Sequence, residues 1–167
     1  MEGRARLLEQ DDPAVGPDWV EHSGAQTLLS YGVNPPQKLD PAPWAEVRDR
    51  FTEALPASHL AFFQGLEHYA VIGDYVFAHA GVRPAVPLEQ QTTQDLMWIR
   101  KPFLEVDKAI DRVVVHGHTP TEEPHMGRWR VGVDTGAYAT GVLTAVRLLG
   151  TDRTFLSTRP NRGYAPV

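Results

Sequence analysis

Apolar positions along this chain change spacing near residue 66: before it they recur at helical intervals, and after it they gather into short runs. Glu2 to Gln10, with Leu7 and Leu8 apolar, predicts one or two helical turns, broken by Asp11-Asp12-Pro13. Asp18 is placed to cap a helix running to about Ser30, with Trp19, Ala25, Leu28 and Leu29 on an imperfect apolar face that Gly24 interrupts. Tyr31-Gly32 ends that helix, and Asn34-Pro35-Pro36 reads as a loop. Asp40-Pro41 starts the next, in which Trp44, Val47, Phe51, Ala54 and Leu55 share one face. Pro56 interrupts it, and Ser58 to Leu66 predicts a short helix with Leu60, Phe62 and Phe63 directed at a core.

The later runs read as strands. Gly73-Asp74 sits between two of them and carries a tight-hairpin signature, so Asp74 is assigned to a turn and not to a ligand set. The second of these strands, Tyr75-Val76-Phe77-Ala78, ends in His79-Ala80-Gly81. Val82 to Thr93 is a loop, followed by a helical turn from Asp95 to Ile99 that carries Arg100. Val113-Val114-Val115 predicts a buried strand, because β-branched side chains suit a covered pleated surface, and it runs into His116-Gly117-His118-Thr119-Pro120. Thr121 to Gly127 is a polar loop; Trp129 to Val133 alternates as a strand, and Asp134-Thr135-Gly136 ends it. Tyr138 follows in a loop at the edge of any pocket there. Val142 to Leu149 and Thr154 to Thr158 are closing strands joined by Gly150-Thr151-Asp152.

With 167 residues the chain suits one domain, taken as residues 1–160 with a loose tail at 161–167. Net charge of −5 excludes the basic face expected of a nucleic-acid binder. Zero cysteines excludes disulfides and thiolate metal sites and fits a cytoplasmic protein. No apolar run reaches membrane length, so no membrane partner is expected.

The candidate chemistry lies in the two strands that end in histidine. An imidazole at the end of a rigid element suits a metal ligand, and it also suits a hydrogen-bonded structural histidine; the residues alone leave both readings open for His79, His116 and His118. Arg100 is either a surface cation or a phosphate fork. Asp134 either orients a ligand histidine or shapes its turn. His22, His59, His68 and His125 read as surface or packing residues.

Four motifs in order sharpen this: Phe77-Ala78-His79-Ala80-Gly81, Asp95-Leu96-Met97-Trp98-Ile99-Arg100, His116-Gly117-His118-Thr119-Pro120 and Val133-Asp134-Thr135-Gly136-Ala137. Together they resemble the C-terminal part of the calcineurin-like metallophosphoesterases, specifically the bacterial serine/threonine protein phosphatases, with the symmetrical dinucleoside tetraphosphate hydrolases as close relatives. The resemblance implies an α/β (α+β) fold, part of an α-β-β-α sandwich with mixed sheets and helices packed outside. It implies that His79 and His118 bind a divalent metal, manganese (Mn2+) first, with Fe, Zn, Mg and Ni as alternatives. It places His116, Asp134 and Tyr138 around them and gives Arg100 to substrate phosphate. It implies a phosphorylated protein or a small phosphoester as substrate. The family's Gly-Asp-x-His-Gly, Gly-Asp-x-x-Asp-Arg-Gly and Gly-Asn-His-Glu motifs, which supply the other ligands and the general acid, do not occur here. The expectation is therefore a truncated chain with no complete catalytic set, weak or inactive alone, and prone to self-association through an exposed sheet surface, with a non-catalytic remnant or binding module as the alternative.

Overall fold

Helical spacing yields helices and short apolar runs yield strands in a computed structural model that describes residues 15–20, 24–36 and 44–159. The expectations placed on Glu2 to Gln10, His22, Asp40-Pro41 and the tail after Pro160 lie outside the described residues. The chain divides into two compact units, residues 1–66 and 67–167.

The first unit holds α1 (Val15–Trp19), α2 (Ala25–Ser30), α3 (Trp44–Ala54) and α4 (Ala57–Gln64). Of the helix expected from Asp18 to Ser30, α1 and α2 are α-helical and Val20 and Gly24 between them are π-helical, while residues 21–23 lie outside the described residues; α1 begins three residues before Asp18, which falls within it. Trp44, Val47, Phe51 and Leu55 point inward as their spacing requires and are buried with Leu28 and Val33. Pro56, at φ −59° and ψ 141°, is extended and starts α4, which is how one proline separates two helices. Leu60 and Phe63 pack on the core, but Phe62 is 62% exposed, because adjacent residues on a helix cannot share one face. His59 is a packing residue: its Nδ1 meets the Tyr31 hydroxyl at 2.7 Å.

The second unit is built on a mixed five-stranded sheet. Its strands are β1 (Tyr69–Ile72), β2 (Tyr75–Ala78), β3 (Val113–His116), β4 (His125–Met126) and β5 (Arg130–Gly132), in the order β1-β2-β3-β5-β4. Gly73 supplies the positive φ of +58° that the two-residue turn between β1 and β2 requires, and those strands pair antiparallel. β2, β3 and β5 run parallel to one another. His125 and Met126, expected in a polar loop, form β4 instead and pair with Gly132 and Val131; two residues are too few to show a period in sequence.

The pleat sorts the strand residues into two cores. Val76, Ala78 and Val114 face Leu96, Ile99 and Phe103 of the helical segments α5 (Thr93–Trp98) and α6 (Lys101–Leu104) and their linker. Val113, Val115, Tyr75 and Phe77 face Val146, Leu148 and Phe155 of the hairpin β6 (Thr144–Leu149) and β7 (Asp152–Ser157). The unit is thus layered helix, mixed sheet, second sheet. Between β5 and β6 lies α7 (Ala137–Thr140), where Tyr138 is 89% exposed and so lines no enclosed cavity. Thr135 anchors this loop: its buried hydroxyl bonds the Val142 carbonyl at 3.1 Å and the Thr144 hydroxyl at 2.8 Å. Thr135→Val should cost about 1–2 kcal/mol in urea unfolding, since it leaves two buried partners unsatisfied. No helix among the described residues is long and apolar enough to cross a membrane.

Candidate metal and phosphate site

Because β2, β3 and β5 are parallel, their carboxyl ends share one edge of the sheet, the edge where open α/β sheets place ligands. His79 follows β2, His116 ends β3 with Gly117 and His118 beyond it, and Asp134 follows β5. The ladder extends past the strands: Gly117 N–H donates to the His79 carbonyl and Val133 N–H to the His116 carbonyl, both at 2.9 Å. This register brings the His79 and His118 rings to 5.1 Å between centroids, with planes at 61°. Metal–nitrogen bonds of about 2.0–2.1 Å would set two imidazoles on one ion at roughly that spacing.

Both imidazoles are held below their ordinary pKa. For His79 the cause is burial, opposed by Asp134. For His118 it is burial, then the neighbouring His79 and Arg100, again opposed by Asp134. Neutral rings keep a lone pair, as a metal ligand must. Two imidazoles fit part of a coordination sphere and do not complete one. Among the described residues no group of three or more His, Asp or Glu side chains is gathered to hold an ion.

His118 is flanked by the other two motif residues. Arg100 Nε donates to its Nε2 at 3.3 Å, and the Trp98 ring stands edge-on at 5.6 Å. Its backbone is left-handed, at φ +66°, whereas that of the adjacent Gly117 is not. Non-glycine residues in this region carry modest strain and cluster at functional sites. His118→Gly should therefore be about 1 kcal/mol more stable than His118→Ala in urea unfolding, although both lose the ring.

His116 points elsewhere. It is 4% exposed and stacks edge-on against Phe103 at 4.9 Å. Its Nε2 lies 3.3 Å from Arg130 and accepts from that guanidinium, so its Nδ1 carries the proton and donates to the Gly117 carbonyl at 3.1 Å. Both nitrogens are engaged, and burial pushes its pKa down to about 4. Asp134 Oδ1 accepts the Gly136 N–H at 2.9 Å, so the carboxylate is fixed while its charge acts on His79, His116 and His118.

One positioning pair was not evident in the sequence. Asp95, 7% exposed, accepts a bidentate fork from Arg83, with Nε at 2.8 Å, and the guanidinium and the Thr92 hydroxyl hold its pKa down. With the Ala80 N–H donating to the Leu96 carbonyl at 2.8 Å, this ties the segment after His79 to the helix that ends at Trp98 and Arg100. The available signal was Thr92-x-x-Asp95, a helix-start pattern in which the Thr92 hydroxyl accepts the Asp95 N–H at 3.1 Å.

No protein-family model matches the chain. A protein of Geobacillus thermodenitrificans (strain NG80-2), named Bis(5'-nucleosyl)-tetraphosphatase PrpE (asymmetrical), is 27% identical over 77% of this chain and 54% of its own length. A protein of the same name from Anoxybacillus flavithermus (strain DSM 21510 / WK1) is 24% identical over 64% of this chain and 50% of its own. The chain thus spans about half the length of the curated relatives it matches. A solved crystal structure, provisionally named a diadenosine tetraphosphatase, aligns with a TM-score of 0.51 over 65% of this chain and 60% of that one, at 18% identity; the likeness is one of fold. These proteins agree with the metallophosphoesterase resemblance at the level of the superfamily, and their names are those of hydrolases. They lend no support to the narrower protein-phosphatase expectation.

Proposed function

We propose that this chain carries part of the active site of a metal-dependent phosphoesterase acting on dinucleoside tetraphosphates. The observation that carries this reading is the meeting of His79 and His118 at 5.1 Å across two parallel strand ends, with Arg100 on His118. His79 and His118 would hold one divalent ion, manganese being the first choice. A bound ion of this kind lowers the pKa of a coordinated water and so supplies hydroxide at neutral pH. Asp134 holds the imidazoles in the field of a fixed carboxylate. Arg100, once it leaves His118 for substrate, presents a planar fork to phosphoryl oxygens.

The tetraphosphate reading is favoured over a phosphoprotein substrate by the names of the relatives, and those names specify asymmetrical cleavage, where the motifs had suggested the symmetrical enzymes. Asymmetrical hydrolysis gives a nucleoside triphosphate and a monophosphate; symmetrical hydrolysis gives two diphosphates. Phosphoprotein hydrolysis stays as the second reading, on the order of the four motifs alone.

The test is manganese binding by calorimetry, together with chromatography of products from diadenosine tetraphosphate. Weak, saturable binding that drops at least tenfold in both His79→Ala and His118→Ala is expected, and whatever slow turnover the partial site supports should give triphosphate and monophosphate. Unchanged ion binding in both variants would remove the reading. Two diphosphates as products would reverse its cleavage pattern.

A further inference from the structure

Two unlike side chains stand together beside the His118 imidazole. α5 ends at Trp98, and Ile99 after it is extended, at φ −61° and ψ 142°. Ile99 is 6% exposed and packs in the core with Val114 and Phe103. Side chains alternate along extended backbone, so holding Ile99 inward turns Trp98 and Arg100 outward together. Both reach the same ring: Arg100 Nε lies 3.3 Å from His118 Nε2, and the Trp98 ring is 5.6 Å away between centroids, with planes at 84°. Trp98 is 38% exposed even so.

Single exposed apolar side chains are ordinary, and Leu149 or Leu156 on the hairpin needs no further reading. Trp98 differs in its neighbours. A large aromatic residue with over a third of its surface open adjoins the cation that the phosphoesterase reading gives to phosphate. In a nucleotide a flat base stands one sugar away from its phosphate. Every base has a π-face, so any base can stack on an aromatic side chain. Phosphoserine or phosphothreonine offers no ring at that place.

We propose that Trp98 is the nucleobase platform of this site: the base of a nucleoside oligophosphate stacks on its indole while Arg100 takes the adjoining phosphate. The proposal rests on the reading above and deepens it, since it places one nucleoside of a dinucleoside tetraphosphate beside His118. The indole supplies affinity and orientation and takes no part in bond cleavage.

Calorimetry of the whole chain in magnesium, with ATP and with inorganic tripolyphosphate, tests this; the two probes share three phosphates and differ in the adenosine. Trp98→Ala should weaken ATP by about tenfold or more and change tripolyphosphate by less than about twofold. Its manganese affinity should equal that of the parent chain. Trp98→Phe should keep ATP affinity within about threefold, because a ring remains. ATP should quench tryptophan fluorescence in the parent chain and not in Trp98→Phe, which decides the matter if Trp98→Ala fails to fold. Absence of saturable ATP binding, equal loss of both probes in Trp98→Ala, or quenching that persists in Trp98→Phe would each overturn the proposal. So would weakened manganese binding in Trp98→Ala, the mark of a ring that merely holds His118. None of these results alters the manganese losses expected in His79→Ala and His118→Ala, so a failure here is distinct from a failure of the metal reading.

Discussion

Gly81→Ala is expected to unfold the second unit or bring it close to unfolding. Gly81 has φ +142°, a conformation that side-chain-bearing residues rarely adopt, and a Cβ there would lie 2.3 Å from Phe103 Cδ1 and 2.7 Å from its Cγ. The clash is with the root of the ring and not with a flexible tip. Phe103 is 1% exposed and held between Gly81 and His116, so it has nowhere to go. Overpacking of this kind costs about 1–3 kcal/mol, and the strained backbone about as much again. The sum, roughly 2–6 kcal/mol, is a large part of the 5–15 kcal/mol that holds a domain. Thermal melting should show a fall of more than about 10 °C, at roughly 4–8 °C per kcal/mol for a unit of this size. Gly117→Ala is the matched control. Its Cβ would meet Asp134 and His79 only at ordinary contact distances of 3.7–3.8 Å, and its φ is not positive. It should change stability by less than about 1 kcal/mol. Equal melting of the two variants would show that Phe103 yields. Gly81 follows His79 by two residues, so this packing constraint also fixes where the candidate ligand emerges from the sheet.

The parts of the fold that the sequence displayed are those in which one local pattern decides the outcome. The spacing of Trp44, Val47, Phe51 and Leu55 admits one helix face, and the valines of β3 admit a strand covered on both sides. Gly73-Asp74 left little choice but a hairpin. His79 and His118 stood out because each follows such a strand, but their meeting depends on β2 and β3 being neighbours and parallel, a long-range pairing that no local spacing encodes. The same limit hid β4, two residues long, and the fork between Arg83 and Asp95, which joins a loop to a helix. It hid the contact of Arg130 with His116 Nε2 as well, which joins two neighbouring strands and not two neighbours in sequence. The left-handed turn at His118 ran against residue preference, since an adjacent glycine was the better candidate. Local rules fail in this way where a side chain is held for its chemistry more than for its conformation.

Acidification should then destabilise the second unit through His116, by about 3 kcal/mol between pH 6.5 and pH 4. The folded-state pKa of His116 is near 4 against an ordinary 6.5, and burial is the main cause; Arg130 and His125 push the same way, while the Gly117 carbonyl and Asp134 oppose them. Between those values the unfolded chain protonates the imidazole and the folded chain does not. The unfolded state binds more protons there, so stability falls as pH falls. Above pH 6.5 both states are neutral and the contribution is flat; below pH 4 both are charged and the loss has saturated. A gap of about 2.5 units at roughly 1.4 kcal/mol each sets the size of the effect. Other imidazoles with lowered pKa titrate in the same range, those of His79, His118 and His125, so the quantity to measure is a difference. Urea unfolding at pH 7 and pH 4.5 should show a smaller acid loss in His116→Gln than in the parent chain, because glutamine does not titrate but can still accept the Arg130 N–H. The two proteins should approach each other in stability as pH falls, whatever the cost of the substitution at pH 7. Parallel pH profiles would mean that His116 takes up its proton in the folded state, with its bond to Arg130 broken and its ring turned toward water.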